Sequence, residues 1–469
     1  MPVTTFLKAI VLLLLLAVTA PVQGQVISKV YADGSIYEGT VEAGLQHGTG
    51  RYLRPDGFEY TGQWSQGQMH GSGVARYPNG ALYQGRFEQG RPHGLGRITY
   101  SDGTGYEGGW VSGQITGMGR ARYLDGAVYQ GAFVNGQHHG AGAWVAPAGY
   151  RYQGLWVEGR KEGAGQITYP DGAVYLGQLI DDLPSGAGKL TSAGGDIYQG
   201  GWLAGKIHGQ GRLQESKGDI YVGSFVAGMR HGRGRQIYAG GDDYRGRFAQ
   251  DQRSGAGVLI SHDGAVQAGI WAANQINGQG QIIYPDKSHY IGALQNTRPH
   301  GRGEMRYANG ASYKGQWQDA VQQGHGTAVY PDGARYEGSF LAGQPDGIGV
   351  MRYPNGAVYI GTWSDGQREG FGDIKGGSDG LTYRGRFRAG LYHGAGRLTL
   401  QDGFDYEGQW QGGLMSGKGR VRYANGDAYE GGFLAGLRDG RGIMRQSNGT
   451  IQSGIWRKDV LAAPDVLQP

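Results

Sequence analysis

Apolar and polar residues alternate with period two along most of the chain, and the alternation restarts every 23 residues. Tyr37, Tyr60, Tyr83, Tyr106, Tyr129, Tyr152, Tyr175, Tyr198, Tyr221 and Tyr244 each open the phrase Tyr-x-Gly at that spacing. Gln267 takes the Tyr slot once, and Tyr290, Tyr313, Tyr336 and Tyr359 resume the beat. One extra residue displaces it to Tyr383, after which Tyr406, Tyr429 and Gln452 complete 19 copies. Self-similarity at a short fixed period marks a repeat array in place of a globular fold around one pocket. With the Tyr as position zero, position two is Gly and position four is aromatic in nearly every copy, Val41, Leu179 and Leu294 being the exceptions. Nine of the ten Trp stand at position four: Trp64, Trp110, Trp156, Trp202, Trp271, Trp317, Trp363, Trp410 and Trp456. Residues at zero, two and four share one face of an extended strand, so this run predicts a strand with an aromatic face.

A turn at position seven, usually Gly as in Gly67 and Gly90, leads into a second alternating run. In the third copy that run carries Gly94, Gly96, Ile98 and Tyr100 at positions eleven to seventeen. Phrases such as Pro78-Asn79-Gly80 and Pro170-Asp171-Gly172 then turn the chain back, with Pro presetting φ and Gly taking the left-handed position. A three-residue loop with a bulge is the predicted form, because it puts position fifteen on the same face as the next Tyr. A two-residue loop would mix that Tyr with the Arg-rich column at sixteen. Each repeat is thus one β-hairpin. The fold class expected is all-β, an elongated single-layer antiparallel sheet of stacked hairpins. Eighteen full repeats with one further strand at each end make 38 strands, extending roughly 180 Å at the usual strand spacing. Asp251, Asn274 and Thr297, which replace the turn Gly in successive copies, and the extra residue before Tyr383 are expected to mark bends.

The segment Tyr60-Thr61-Gly62-Gln63-Trp64-Ser65-Gln66-Gly67-Gln68-Met69-His70-Gly71-Ser72-Gly73 resembles the MORN (membrane occupation and recognition nexus) repeat. The resemblance extends over nearly all of the chain after residue 24. It implies a twisted single-layer sheet of hairpins that serves as a scaffold, a dimerisation module or a phospholipid-binding region. Aromatic-rich choline- and glucan-binding repeats are similar in length, but the His-Gly-x-Gly segment and the strict beat favour MORN. Kinase or methyltransferase activities found beside such repeats are not implied, because no appended catalytic domain is discernible.

Composition changes the picture at the N-terminus. Lys8 precedes the apolar run Ala9–Val18, and Val22-Gln23-Gly24 offers small residues for cleavage. The run is shorter than the about 20 residues of a membrane span, so residues 1–24 read as a secretory signal peptide, with an uncleaved anchor as the rival. The array occupies 25–459 and a C-terminal tail 460–469. Cys is absent, which excludes a disulfide framework, a thiol nucleophile and a lipoprotein anchor. The formal net charge of +5 becomes +4 without Lys8, too weak an excess for a dedicated nucleic-acid binder. Export to a periplasmic or extracellular site, associated with an envelope, is the expected localisation.

Candidate chemistry lies on two faces. Arg recurs at positions fourteen and sixteen of the polar face, and Arg97, Arg120, Arg122, Arg397, Arg420 and Arg422 are the candidate anion-binding residues. The planar guanidinium fork suits carboxylate and phosphate, although the near balance of acidic and basic residues favours a solvated face whose Arg pair with cross-strand Glu. On the aromatic face most rings are expected to pack within the sheet, but a single layer cannot cover that face with a second layer of its own. Trp64, Trp110, Trp156, Trp202, Trp317, Trp363 and Trp410 are therefore candidate contacts for sugars, an apolar partner or a second copy of the chain. His recurs at position ten, as in His47, His70 and His93, but Glu162, Asp346, Ser254 and Asn277 share the slot. Equivalent atoms two strands apart stand about 9.5 Å from each other, too far to share one zinc. A turn hydrogen bond is the expected role. No phosphate loop or nucleophile-base arrangement is discernible, and neither a metal nor a cofactor is expected. The reading is a non-catalytic extracytoplasmic scaffold for an envelope surface, membrane lipid or protein partner, with a homodimer among the assemblies considered. Polysaccharide binding or hydrolysis is the alternative.

Overall fold

The computed structural model describes residues 25–378 and 380–465, so the expected signal segment lies outside the described residues. Among them are 39 strands and no helix. By packing, the chain divides into two compact units, 1–207 and 208–469. The fold is all-β, and in each unit hairpins join edge to edge in antiparallel pairs.

In the first unit the strands Leu82–Glu88 and Arg91–Thr99 form a representative hairpin. Glu88 pairs with Arg91 around a two-residue turn whose Gln89 and Gly90 both have positive φ, 50° and 78°. This is a type I′ turn, whose twist suits flanking strands. Position six therefore holds a non-Gly residue in the left-handed region in nearly every repeat, as at Ala43, Gln66 and Ser112. The return loop has three residues, as predicted. The Tyr100 N–H donates to Thr104 O at 2.9 Å, and the Gly103 N–H to Tyr100 O at 3.1 Å. Ile98 then pairs with Tyr106, both on the ring face.

The glycines divide by task. Gly94 adopts φ 71° where the register shifts opposite Arg86, so the glycine at eleven makes a β-bulge. Those at two and thirteen seat the rings. Gly85, Gly96, Gly108 and Gly119 face one another across four strands, and a Cβ on Gly96 would stand 2.1 Å from the Tyr83 hydroxyl. The Tyr83 ring lies over that bare backbone and its hydroxyl donates to Arg86 O at 2.9 Å. Phe87 and Trp110 meet it edge to face, with centroids 5.0 and 5.2 Å away. The Trp110 Nε1–H donates to Gly96 O at 3.1 Å. An indole thereby ties this repeat to the preceding one as well as the strand ladder does, and Trp64, Trp271, Trp317, Trp410 and Trp456 make the same bond in theirs.

The second unit repeats the pattern. Gly396, Gly408 and Gly419 are in register, the Tyr406 hydroxyl donates to Gln409 O at 2.8 Å and Trp410 Nε1 to Gly396 O at 3.1 Å. Where Gln267 replaces the ring, Ile276 and Leu294 close over Gly280 instead. The divergent turns keep the local hairpin geometry. Asp251, Asn274 and Thr297 keep positive φ of 66°, 68° and 63°, and their side chains accept the N–H of Arg230, Arg253 and Ile276 at 2.8–2.9 Å. Turn geometry is preserved because each side chain supplies a hydrogen bond that Gly cannot. The extra residue before Tyr383 falls in the loop after the ten-residue strand Gln367–Gly376, where Gly376 and Gly377 have φ 93° and 91°. The strand beyond the expected 38 is Val460–Pro464. It follows a turn at Lys458-Asp459 with positive φ at both residues, so the terminal unit is a shortened hairpin.

Candidate functional site

The ring face is largely closed. Tyr37, Tyr60, Tyr83 and Tyr129 are fully buried, and Trp64, Trp110, Trp156, Trp317, Trp363 and Trp410 retain 4–7% of their surface. Trp202 is half-buried. The lid comes from position nine, which the sequence does not single out because its residue type changes from repeat to repeat. His138 stacks on Tyr129 at 3.7 Å and Tyr392 on Tyr383 at 3.8 Å. Lys161 Nζ stands 5.7 Å over Tyr152, and the Arg253 and Arg438 guanidinium groups lie 4.4 and 4.3 Å over Trp271 and Trp456. Burial pushes the Tyr83 and Tyr129 phenols up to about 12 and the His138 imidazole down to about 4. Six of the seven indoles named from the sequence are therefore packing groups with little surface for a ligand, and Trp202 keeps part of its surface.

Position ten does serve turns. His93 Nδ1 accepts the Ser112 N–H at 3.5 Å, Glu162 accepts that of Asp181 at 3.1 Å, and Asn277 that of Asn296 at 2.9 Å. In each case the donor is position six of the next repeat. Among the described residues no cluster of three or more His, Asp or Glu could hold a metal ion.

The Arg face is open. Arg97, Arg120, Arg122, Arg397, Arg420 and Arg422 are all exposed, and the register collects them into two constellations, one in each unit. In the first unit Arg97 and Arg120 both lie opposite Glu107, while Arg122 lies opposite Gly105. In the second, Arg397 and Arg420 lie opposite Glu407 and Arg422 opposite Asp405. The two differ in one respect. Arg397 grips Asp405 with two hydrogen bonds, Nε to Oδ1 at 3.0 Å and Nη2 to Oδ2 at 2.6 Å, whereas Gly105, at the place of Asp405, offers Arg97 no carboxylate. A hollow of about 250 Å³ opens there, lined by Arg97, Thr104, Gly105, Glu107, Arg120 and Arg122. The same face carries apolar side chains that the two-face reading did not anticipate, with Leu95 74% and Met118 68% exposed at position twelve.

The MORN repeat profile matches this chain in eighteen tandem segments, from residues 37–58 through 429–451. No curated protein matches it. Solved structures with partial likeness include the SAS-4 TCP domain of Drosophila melanogaster in complex with a proline-rich motif of Ana2, at 16% identity, 33% of this chain, 85% of that one and a TM-score of 0.22. The TCP10 domain of Danio rerio CPAP is similar at 13% identity over 56% and 96%, with a TM-score of 0.17. Virginiamycin B lyase from Staphylococcus aureus is similar at 8% identity over 58% and 96%, with a TM-score of 0.12. Scores this low carry no argument about the present chain.

Proposed function

Because this chain belongs to the MORN repeat family, we propose that it is a non-catalytic repeat scaffold that binds an anionic partner through its Arg face, outside the cytoplasm. The observation that carries this reading is the contrast between faces. The rings that dominate the composition are consumed by internal packing, while the six named Arg stay exposed in columns that recur along the chain. Weak contacts repeated on one molecule gain avidity through effective concentration, so an extended partner such as an envelope surface or a repetitive protein suits the array. Exposed Leu95 and Met118 beside the Arg columns favour a protein partner over a purely ionic surface, since protein interfaces join Arg with apolar anchors. Export rests on the basic, apolar character of residues 1–24.

Salt provides the test. Exposed charge pairs are screened within about 8–10 Å near physiological ionic strength, so binding to envelope extract or anionic vesicles should weaken steeply as salt rises. Changing Arg120, Arg122, Arg420 and Arg422 to Gln should weaken binding further while circular dichroism stays unchanged. Binding that ignores salt and survives the fourfold change would overturn this reading.

A further inference from the structure

The polar face contains its own demonstration of what an Arg at position fourteen holds. Arg51 Nε donates to Glu59 at 2.8 Å. Arg235 donates to Asp243 through Nε and Nη2 at 2.9 and 2.8 Å, and Arg397 binds Asp405 in the same two-point manner. The acceptor stands eight residues after the Arg each time, at the residue before the next repeat's position zero. The hydrogen bonds from Arg235, with Arg245 beside it, hold the Asp243 carboxyl down at about 2, so the slot accepts a charged carboxylate. Eight residues after Arg97 stands Gly105, and the slot has no carboxylate of its own.

The surroundings of Gly105 are those of the filled slot at Asp405. Thr99, Arg97, Glu107, Arg120 and Arg122 correspond to Thr399, Arg397, Glu407, Arg420 and Arg422 in the same register. Three Arg and one Glu leave the empty slot with surplus positive charge, and Arg97, Arg120 and Arg122 form no ion pair among the described residues. We propose that the hollow at Gly105 is a docking site for a carboxylate supplied by an acidic segment of a protein partner, gripped by the Arg97 fork with Arg120 and Arg122 beside it. The inference rests on the reading of the Arg face as the binding face.

Two features favour a peptide carboxylate over phosphate or a lipid headgroup. The internal occupants are planar side-chain carboxylates, which match a guanidinium at two points. Leu95 and Met118, two residues before Arg97 and Arg120, expose apolar surface beside the hollow, whereas Ala395 and Lys418 hold those places in the second unit. A segment pairing Asp or Glu with an apolar residue two positions away would contact both.

A fluorescein-labelled, capped Leu-Gly-Asp-Gly peptide tests the site on the full chain by fluorescence polarisation, with Leu-Gly-Asn-Gly, inorganic phosphate and phosphatidylglycerol vesicles as competitors. The Asp peptide should bind at least tenfold more tightly than its Asn counterpart. Arg97→Gln should abolish that preference, and Arg76→Gln, an exposed Arg elsewhere on the same face, should not. Asp405→Gly should add a second, weaker equivalent by vacating the matching slot. Gly105→Asp is a poorer probe, because a Cβ there would stand 2.6 Å from Ile98 O. Equal affinity for Asp and Asn peptides, stronger competition by phosphate or vesicles, or no second equivalent in Asp405→Gly would overturn the proposal. If those results came with salt-sensitive binding of envelope extract that the fourfold Arg change removes, the slot alone would be wrong. If that binding also proved insensitive to salt and to the fourfold change, the Arg-face reading would fail with it.

Discussion

Glycine does three separate jobs at the scale of single residues, and substitutions should tell them apart. Gly96→Ala forces a methyl into the Tyr83 ring, 2.1 Å from its hydroxyl, and overpacking of this kind costs about 1–3 kcal/mol. Gly90→Ala meets nothing within 4 Å and bears only the left-handed strain of a turn that tolerates Ala320 at φ 70°, about 1 kcal/mol. Denaturant titration should rank Gly96→Ala as the more damaging. His138 gives a pH signature. Burial lowers its folded value to about 4 from 6.5, so its contribution is complete above pH 6.5 and is lost as pH falls through 4. His138→Ile, the residue type that Ile115 and Ile276 place at the same position, should flatten that acid limb in thermal melts between pH 7 and 4. The columns containing these residues were legible because a 23-residue beat brings each residue type back to the same place. The lid at position nine was not, because Gln46, Met69, Pro92, Ile115, His138 and Lys161 share no chemistry, only a location over a ring.

Among elements, the two turns of the hairpin are determined differently. Pro-Asp-Gly specified the three-residue loop by its chemistry, and the requirement that Ile98 and Tyr106 share a face settled its register. The tight turn tolerates variation because Asp251, Asn274, Thr297 and Asp459 return a side-chain hydrogen bond to the preceding repeat. Asn274→Ala removes the acceptor of the Arg253 N–H at 2.8 Å and should cost about 1 kcal/mol. Asn274→Gly should cost less, because Gly relaxes the positive φ. Amide hydrogen exchange at Arg253 should accelerate in both variants, and a rate equal to wild type would show that this bond contributes nothing. Such substitutions resemble defects in the sequence because the partner N–H is 21 residues away, and only the register brings it close.

For the molecule as a whole, the repetition makes alkaline titration a collective event. Burial raises Tyr37, Tyr83, Tyr129, Tyr221, Tyr244 and Tyr313 from 10.0 to about 12. The folded chain therefore holds phenolic protons that the unfolded chain releases, and stability present below pH 10 is lost as pH approaches 12. Tyrosinate absorbance and far-ultraviolet circular dichroism should change together in that window. Substantial tyrosinate formation near pH 10 with the circular dichroism intact would show that the rings are accessible. A single-layer sheet read from sequence left part of the ring face open, since no second layer was available to cover it. The hairpins cover their own rings by laying them over glycine and capping them from position nine. Sequence by itself determined the repeat, the hairpin, the loop register and the two faces, because each follows from local periodicity and turn chemistry. Tertiary structure alone decided which face stays open and which Arg keeps a carboxylate. Burial and pairing are set across strands, where Gly105 and Asp405 occupy one register position and differ only in whether a side chain fills it.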